Sequence, residues 1–176
     1  MIVRKQRADD YEAIRDVYAE AFRRPRFRPP QDPGCVPPEV GLFEALWEAG
    51  DAIPEFSFTA LTDGGVVGHV TASQATVATD SVVAVGPIGV LPEHQGMGIG
   101  SALMDALLSA ADVAHVPLVV LLGSPQYYSR FGFRRAKELG VIPPEPEWGD
   151  AFQARRLSAY TESPAGPFQY APAFSS

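Results

Sequence analysis

The chain has 176 residues, 46% of them hydrophobic and 20% charged, so it can bury one sizeable core and is too short for two ordinary domains. Fourteen basic against twenty-one acidic side chains give a net charge of −7, which disfavours general affinity for nucleic acid or an anionic membrane. A lone cysteine, Cys35, excludes an intramolecular disulfide and a cysteine-rich zinc site. The N-terminal run Met-Ile-Val-Arg-Lys-Gln-Arg lacks a signal-peptide apolar core, and no stretch approaches the ~20 apolar residues of a membrane span. Residues 1–176 are therefore expected to form a single cytoplasmic domain with neither nucleic acid nor membrane as partner.

In chain order, Ile2 to Arg4 suits a short first strand, and Asp9 or Asp10 can cap a helix whose apolar stripe is Tyr11, Ile14, Tyr18, Ala21 and Phe22. A proline- and arginine-rich passage from Arg23 to Pro37 must be loop, after which Pro38 opens a second helix carrying Val40, Phe43, Leu46 and Trp47 and ending at Gly50. Phe56 to Leu61 and Val66 to Ala72 are strand-like runs joined through Asp63-Gly64-Gly65, which predicts an antiparallel hairpin. The next strand, from about Val82 to Val90, contains Gly86, Pro87 and Gly89. Because proline cannot donate to a central ladder, this strand should bulge or present an opened edge, and its free peptide groups could pair with an extended ligand.

Pro92 to Ser101 reads Pro-Glu-His-Gln-Gly-Met-Gly-Ile-Gly-Ser, with glycines at alternate positions 96, 98 and 100 where the strand gives way to a helix marked by Ile99, Leu103, Leu107 and Ala111. Glycine lets backbone amides come close to a ligand, and the free amides and dipole of the helix N-terminus favour phosphate-type anions. A triphosphate loop would need Gly-Lys-Ser/Thr, absent here, and the glycine spacing is not the G-x-G-x-x-G of a dinucleotide fold. After the helix, Pro117 to Leu122 forms a fifth apolar strand. Strand, helix and strand predict a right-handed parallel crossover whose glycine turn lies at the carboxyl end of the fourth strand. Pro125 then suits the start of a short helix bearing Tyr128, ended by Gly132.

The run Gln95-Gly96-Met97-Gly98-Ile99-Gly100 resembles the Q-x-x-G-x-G signature of the GNAT superfamily of N-acetyltransferases. Gly86-Pro-Ile-Gly-Val-Leu-Pro-Glu-His-Gln, Tyr-Tyr-Ser-Arg-Phe-Gly-Phe133 and the closing Tyr170-Ala-Pro-Ala-Phe174 are similar to the YhbS-like predicted acetyltransferases within it. Likeness at the level of motifs is concentrated between Gly86 and Phe133. The resemblance implies an α/β (α+β) fold with a mixed, largely antiparallel sheet, a splayed cleft between the fourth and fifth strands, and flanking helices. It also implies acetyl-CoA as cosubstrate and no metal. Main-chain groups of Ile88, Gly89 and Val90 would hold the pantetheine arm, the amides of Gln95, Gly96, Met97, Gly98, Ile99, Gly100 and Ser101 the pyrophosphate, and Gly123 and Ser124 would border the acetyl thioester. Tyr128 occupies the position of the general acid that protonates the departing thiolate. Two departures are a methionine, Met97, where many members carry a basic residue, and Leu121 where an asparagine is common.

The implied reaction is direct attack of a neutral primary amine, on a small molecule or a peptide, in a ternary complex. A noncatalytic acyl-CoA sensor and a transferase of longer acyl groups stay open beside it. Glu93 and His94 are equally a general base or a solvated link, and Asp80 is a weaker base candidate. Arg23, Arg24, Arg26 and Arg28 suit either an anionic group on the acceptor or a solvated loop. His69 and His115 stand isolated, leaving no metal constellation, and Cys35 reads as an unpaired thiol. Strands after Phe133 offer edges for pairing between subunits, so monomer and homodimer both remain open.

Overall fold

The structure, a computed structural model, describes residues 1–23, 35–160 and 164–175. Strands β1 (Ile2–Lys5), β2 (Phe58–Thr62), β3 (Gly65–Val77) and β4 (Asp80–Val90) are successive antiparallel neighbours. The row continues through β5 (Leu118–Leu122), which is parallel to β4, and then through the antiparallel β8 (Phe152–Arg156) and β6 (Arg134–Arg135). The remaining strands, β7 (Val141–Ile142) and β9 (Gly166–Tyr170), pair with each other, and β9 also pairs with the far end of β3. The sheet is thus mixed and largely antiparallel, as the resemblance implied.

Side-chain alternation sorts the residues of each strand between two faces. Val70 and Ala72 of β3, Val83 and Val85 of β4, and Val119 and Leu121 of β5 pack with Leu103, Met104 and Leu107 of helix α3 (Ile99–Val113). On the opposite face Ala75, Val82, Ala84, Leu118 and Val120 meet Phe152 and Phe168. Beside that second cluster, helices α1 (Tyr11–Arg23) and α2 (Pro38–Ala49) join through Ile14, Tyr18, Val40 and Phe43. Leu103 and Leu107 are fully buried, and each such side chain contributes about 2 kcal/mol by leaving water.

Several boundaries differ from the sequence reading. Pro54–Phe56 forms a single 3-10 turn, so β2 begins at Phe58. β3 runs on to Val77 beyond the expected Ala72, since its polar extension is paired on both sides, with β4 and with β9. Asp10 is not the N-cap residue but closes the cap from the third position of the 3-10 turn Ala8–Asp10 that runs into α1: its carboxylate accepts from the N–H of the N-cap Arg7 at 2.8 Å and from the Arg4 guanidinium at 2.7 and 2.8 Å. Of the strands after Phe133, which offer edges for pairing between subunits, β8 lies between β5 and β6 and β9 between β3 and β7, leaving β6 and β7 with one strand partner each. No described helix is long and apolar enough to cross a membrane.

Candidate active site

β4 and β5 are in register only at Val83 with Val119 and Ala84 with Val120. Beyond that point β5 continues alongside β8 to Leu122, while β4 follows β3 alone to Val90, so the two parallel strands part. The divergence begins at a bulge. Val85 is opposite Ala72 and Ile88 opposite Val70, leaving Gly86 and Pro87 to face the lone Thr71. Proline's missing N–H and the tight approach of Thr71, whose methyl would lie 3.0 Å from a Cβ on residue 86, account for the irregularity at these two residues.

The bulge also decides where the next peptide groups point. Leu91 donates its N–H to the Val67 carbonyl at 2.9 Å. Alternation along an antiparallel ladder then makes Gly89 the hydrogen-bonded partner of His69 and turns the peptide groups of Ile88 and Val90 away from β3, into the gap left by β5. The Val90 carbonyl bears this out by accepting a hydrogen bond from Gln95 Nε2 at 3.0 Å. The Ile88 and Val90 side chains lie against the α3 core, whereas residue 89 meets α1: a Cβ there would come within 2.9 Å of the Tyr18 ring. Glycine at 89 is what admits the tyrosine.

The chain leaves β4 through a 3-10 turn, Pro92–His94, and enters the glycine loop. Gly96 and Gly98 have φ of 80° and 82°, a left-handed conformation that favours glycine, and Gly98 is the N-cap of α3. The first helical bond runs from Ala102 N–H to the Gly98 carbonyl at 3.0 Å. Among the described residues no backbone acceptor meets the N–H groups of Gly96, Met97, Gly98, Ile99, Gly100 and Ser101. The first turn of α3 holds no acidic side chain to compete for them. Free main-chain amides at a helix N-terminus are chemically suited to an anion, and Met97 stands two-thirds exposed at their rim.

Helix α4 (Pro125–Tyr128) follows β5 and continues into a 3-10 turn closed by Gly132, φ 79°. The Ser124 carbonyl accepts from the N–H groups of Tyr127 and Tyr128, and the exposed Ser124 side chain makes no cap. Gly123 has both main-chain groups occupied, donating to the Ala151 carbonyl at 2.9 Å and accepting from Gln153 Nε2 at 3.0 Å. Its function is therefore space: any Cβ at 123 would overlap the Tyr128 ring. Tyr128 lies edge-on to Tyr127 and Phe133 and borders the core that Ile88 and Val90 also touch. Burial pushes its phenol well above the ordinary tyrosine value, so it stays protonated at neutral pH.

Phe131 and Phe133 are buried core residues. Tyr127 is more than that, because its hydroxyl reaches over the first turn of α3, 2.8 Å from where a Cβ of Gly100 would be, and Arg130 covers its ring. Leu121 is buried in the α3 core. Asp80 sits at the opposite end of β4, in the hairpin with Val77, away from the opening. Glu93 and His94 lie on the turn before the glycine loop, Glu93 exposed and His94 half-buried. Arg23 ends α1, and Arg24, Arg26 and Arg28 lie outside the described residues. Among the described residues no group of histidine, cysteine or carboxylate side chains gathers as for a metal.

Three residues escaped the sequence reading. Tyr18 Oη lies 2.8 Å from the Pro87 carbonyl and 2.6 Å from His69 Nδ1, while His69 Nε2 lies 2.6 Å from Gln6 Oε1. Tyr18 and His69 are both fully buried, and desolvation lowers the imidazole to about 3, so the ring is neutral. Tyr18 looked like core stripe and His69 looked isolated, since its partners are 51 and 63 residues distant in sequence. No local signal could have joined them.

Residues 11–133 match the acetyltransferase (GNAT) family. The chain belongs to the GNAT family. Another member of that name, the crystal structure of a GNAT N-acetyltransferase, YhbS, from Escherichia coli in complex with CoA, superposes with a TM-score of 0.85 at 26% identity over 99% of this chain and 92% of that one. A GNAT acetyltransferase from Brucella melitensis in complex with acetyl-CoA gives 0.77 at 30% identity over 98% and 97%. In sequence, this GNAT chain is 34% identical to the uncharacterized N-acetyltransferase YjhQ of E. coli over 113 residues, 61% of its own length and 62% of the relative's. The match to E. coli YhbS spans 59% of that relative. The GNAT fold expected from the glycine loop is therefore the fold of this chain, with the strands parted where that reading required.

Proposed function

We propose that residues 1–176 act as one N-acetyltransferase domain that moves an acetyl group from acetyl-CoA to a primary amine by direct attack in a ternary complex. The observation that carries this reading is the continuity of the opening: the peptide groups of Ile88 and Val90 that turn away from β3, of which the Val90 carbonyl already accepts from Gln95, lead directly into the uncapped amides of the glycine loop. An extended thioester arm ending in a pyrophosphate has that same order of hydrogen-bonding groups and charge. The bound states of the two structural neighbours, CoA in one and acetyl-CoA in the other, support the same choice.

In this reading the Ile88 and Val90 main chain, with Gly89 between them, aligns the pantetheine arm, and the amides of Gly96 through Ser101 receive the pyrophosphate, while the expected Gln95 amide is already given to the Pro92 carbonyl at 3.3 Å. Gly123 and Ser124 border the thioester. The amine nitrogen adds to the thioester carbonyl carbon, the oxygen gathers negative charge facing the Ile88 N–H, and the carbon–sulfur bond then breaks. Tyr128 gives its proton to the sulfur as that bond breaks, and regains one from solvent. The acceptor enters as ammonium, with a pKa near ~10.4, and loses one proton to water before attack and one after it. A small-molecule or peptide amine meets these requirements.

Calorimetric titration with acetyl-CoA, with ATP and NAD as controls, tests the donor site. Saturable binding of acetyl-CoA alone is expected; a folded protein that ignores it would remove the reading. If binding occurs but no amine in a screen is acetylated, the domain is an acyl-CoA sensor, and faster turnover with a longer acyl-CoA would make it a different acyltransferase.

A further inference from the structure

We propose that Tyr18, held by His69 and Gln6, is a positioning residue that fixes the plane of the Pro87–Ile88 peptide and so aims the Ile88 N–H at the thioester oxygen. The inference rests on the acetyl-CoA reading of the β4 opening. It begins from a general cost: a bulge removes ladder partners, and a buried carbonyl left without a donor is expensive. At Pro87 the missing partner is replaced from α1 by the Tyr18 hydroxyl at 2.8 Å.

A trans peptide is planar, with its carbonyl and N–H pointing in opposite directions. Anchoring the Pro87 oxygen to α1 therefore sets the direction of the Ile88 N–H on the same plane, and the ladder alternation already turns that N–H away from β3. Without the anchor the plane could rotate about Pro87 ψ and Ile88 φ, because β5 no longer flanks β4 here.

The hydroxyl itself is held by the chain behind it. A phenol has one proton; with that proton on the Pro87 carbonyl, the Tyr18 oxygen must accept from His69 Nδ1–H at 2.6 Å. The neutral imidazole then needs a donor at Nε2; the Gln6 Oε1 that lies 2.6 Å from it cannot donate, so in this protonation state the carboxamide is turned over and presents its NH2. Ring packing fixes the remaining freedom: Tyr18 lies against Gly89 on one side and near Phe43 on another, and His69 is edge-on to both Tyr18 and Phe43. A rigid, buried series of donors thus runs from β1's end through β3 and α1 to the bulge of β4. Neither Tyr18 nor His69 touches the opening by a charged group, so the effect on chemistry passes through the peptide.

The test reads the carbonyl directly and needs no acceptor. With [1-13C]acetyl-CoA as probe, the thioester carbonyl resonance should move downfield on binding to the unaltered protein, as a hydrogen-bonded carbonyl does. In Tyr18→Phe, which keeps the ring on Gly89, that displacement should fall by about half while the acetyl-CoA Kd stays within about twofold. An undiminished displacement in a folded Tyr18→Phe protein would overturn the inference, as would binding without any displacement in the unaltered protein. Absence of acetyl-CoA binding in the unaltered protein would instead overturn the donor-site reading beneath it. Should Tyr18→Phe not fold, His69→Leu and His69→Asn divide the outcomes: Asn can still donate near Nδ1 and should retain the displacement that Leu loses, and equal values would reject the role.

Discussion

Tyr128 combines two properties that pull against each other in an acid catalyst. Burial keeps its phenol protonated, so the acid form is always present, yet it makes complete transfer to a free thiolate, whose pKa resembles the ~8.5 of a cysteine, an uphill step. In the proposed mechanism, proton transfer from Tyr128 must therefore accompany cleavage of the carbon–sulfur bond and not follow it. Replacing Tyr128 by Phe should lower kcat by about 100-fold, the lower end of the usual range for a positioned acid, and leave the acetyl-CoA Kd within about twofold. The raised phenol pKa adds a sign: the unaltered enzyme should show no alkaline loss of kcat from this group up to about pH 10, the ordinary tyrosine value. Wild-type turnover by Tyr128→Phe, measured with any amine the screen finds, would dismiss the assignment. The ring has a second duty in resting on Gly123, where a Cβ would overlap it; the sequence displayed the tyrosine by its spacing to Gly132 but could not show that Gly123 contributes room and no free peptide group.

At the scale of elements, the junction of β4 with α3 was legible because its signals are local. Gly86 and Pro87 in an apolar strand forecast the bulge that is observed opposite Thr71, and alternating glycines before a periodic run forecast a helix start at Ile99. Less legible was β3, whose extension to Val77 carries Ser73, Gln74 and Thr76 and is decided by neighbours far along the chain. The glycine loop binds, on this reading, with backbone alone. Two substitutions separate backbone shape from charge. Gly98→Ala places a Cβ at φ 82°, which should cost about 1 kcal/mol of stability and loosen acetyl-CoA several-fold by distorting the cap. Met97→Lys leaves the backbone alone and adds a cation at an exposed position beside the amides. It should tighten acetyl-CoA by about fivefold at low salt, an advantage that fades when the Debye length is shortened to ~3 Å in 1 M salt. Titrations showing no effect of Met97→Lys at any ionic strength would mean that the pyrophosphate does not approach this loop.

For the whole molecule, the buried chain from Gln6 to Pro87 has a consequence for acid stability. His69 is neutral and fully buried, and its value of about 3 lies below the 6.5 it takes when unfolded. Between those values the unfolded chain binds a proton that the folded protein refuses, so the stabilisation is complete above pH 6.5 and is lost as pH falls. The slope approaches about 1.4 kcal/mol per pH unit. Asp10 acts in the same direction but lower: the Arg4 guanidinium holds its carboxyl below 3.8, so its contribution is present above that value and disappears only beneath it. The window from pH 6.5 to about 4.5 thus isolates the histidine, and there the unaltered protein should lose about 2–3 kcal/mol in urea unfolding. His69→Asn has no group to titrate in that window. It should start lower at pH 7, because the tight packing around the imidazole is disturbed, and then hold its stability within about 1 kcal/mol down to pH 4.5. Parallel losses in the two proteins would assign the acid sensitivity elsewhere. The expected divergence would show that the residues which shape the β4 opening also limit the pH range over which this fold can keep it.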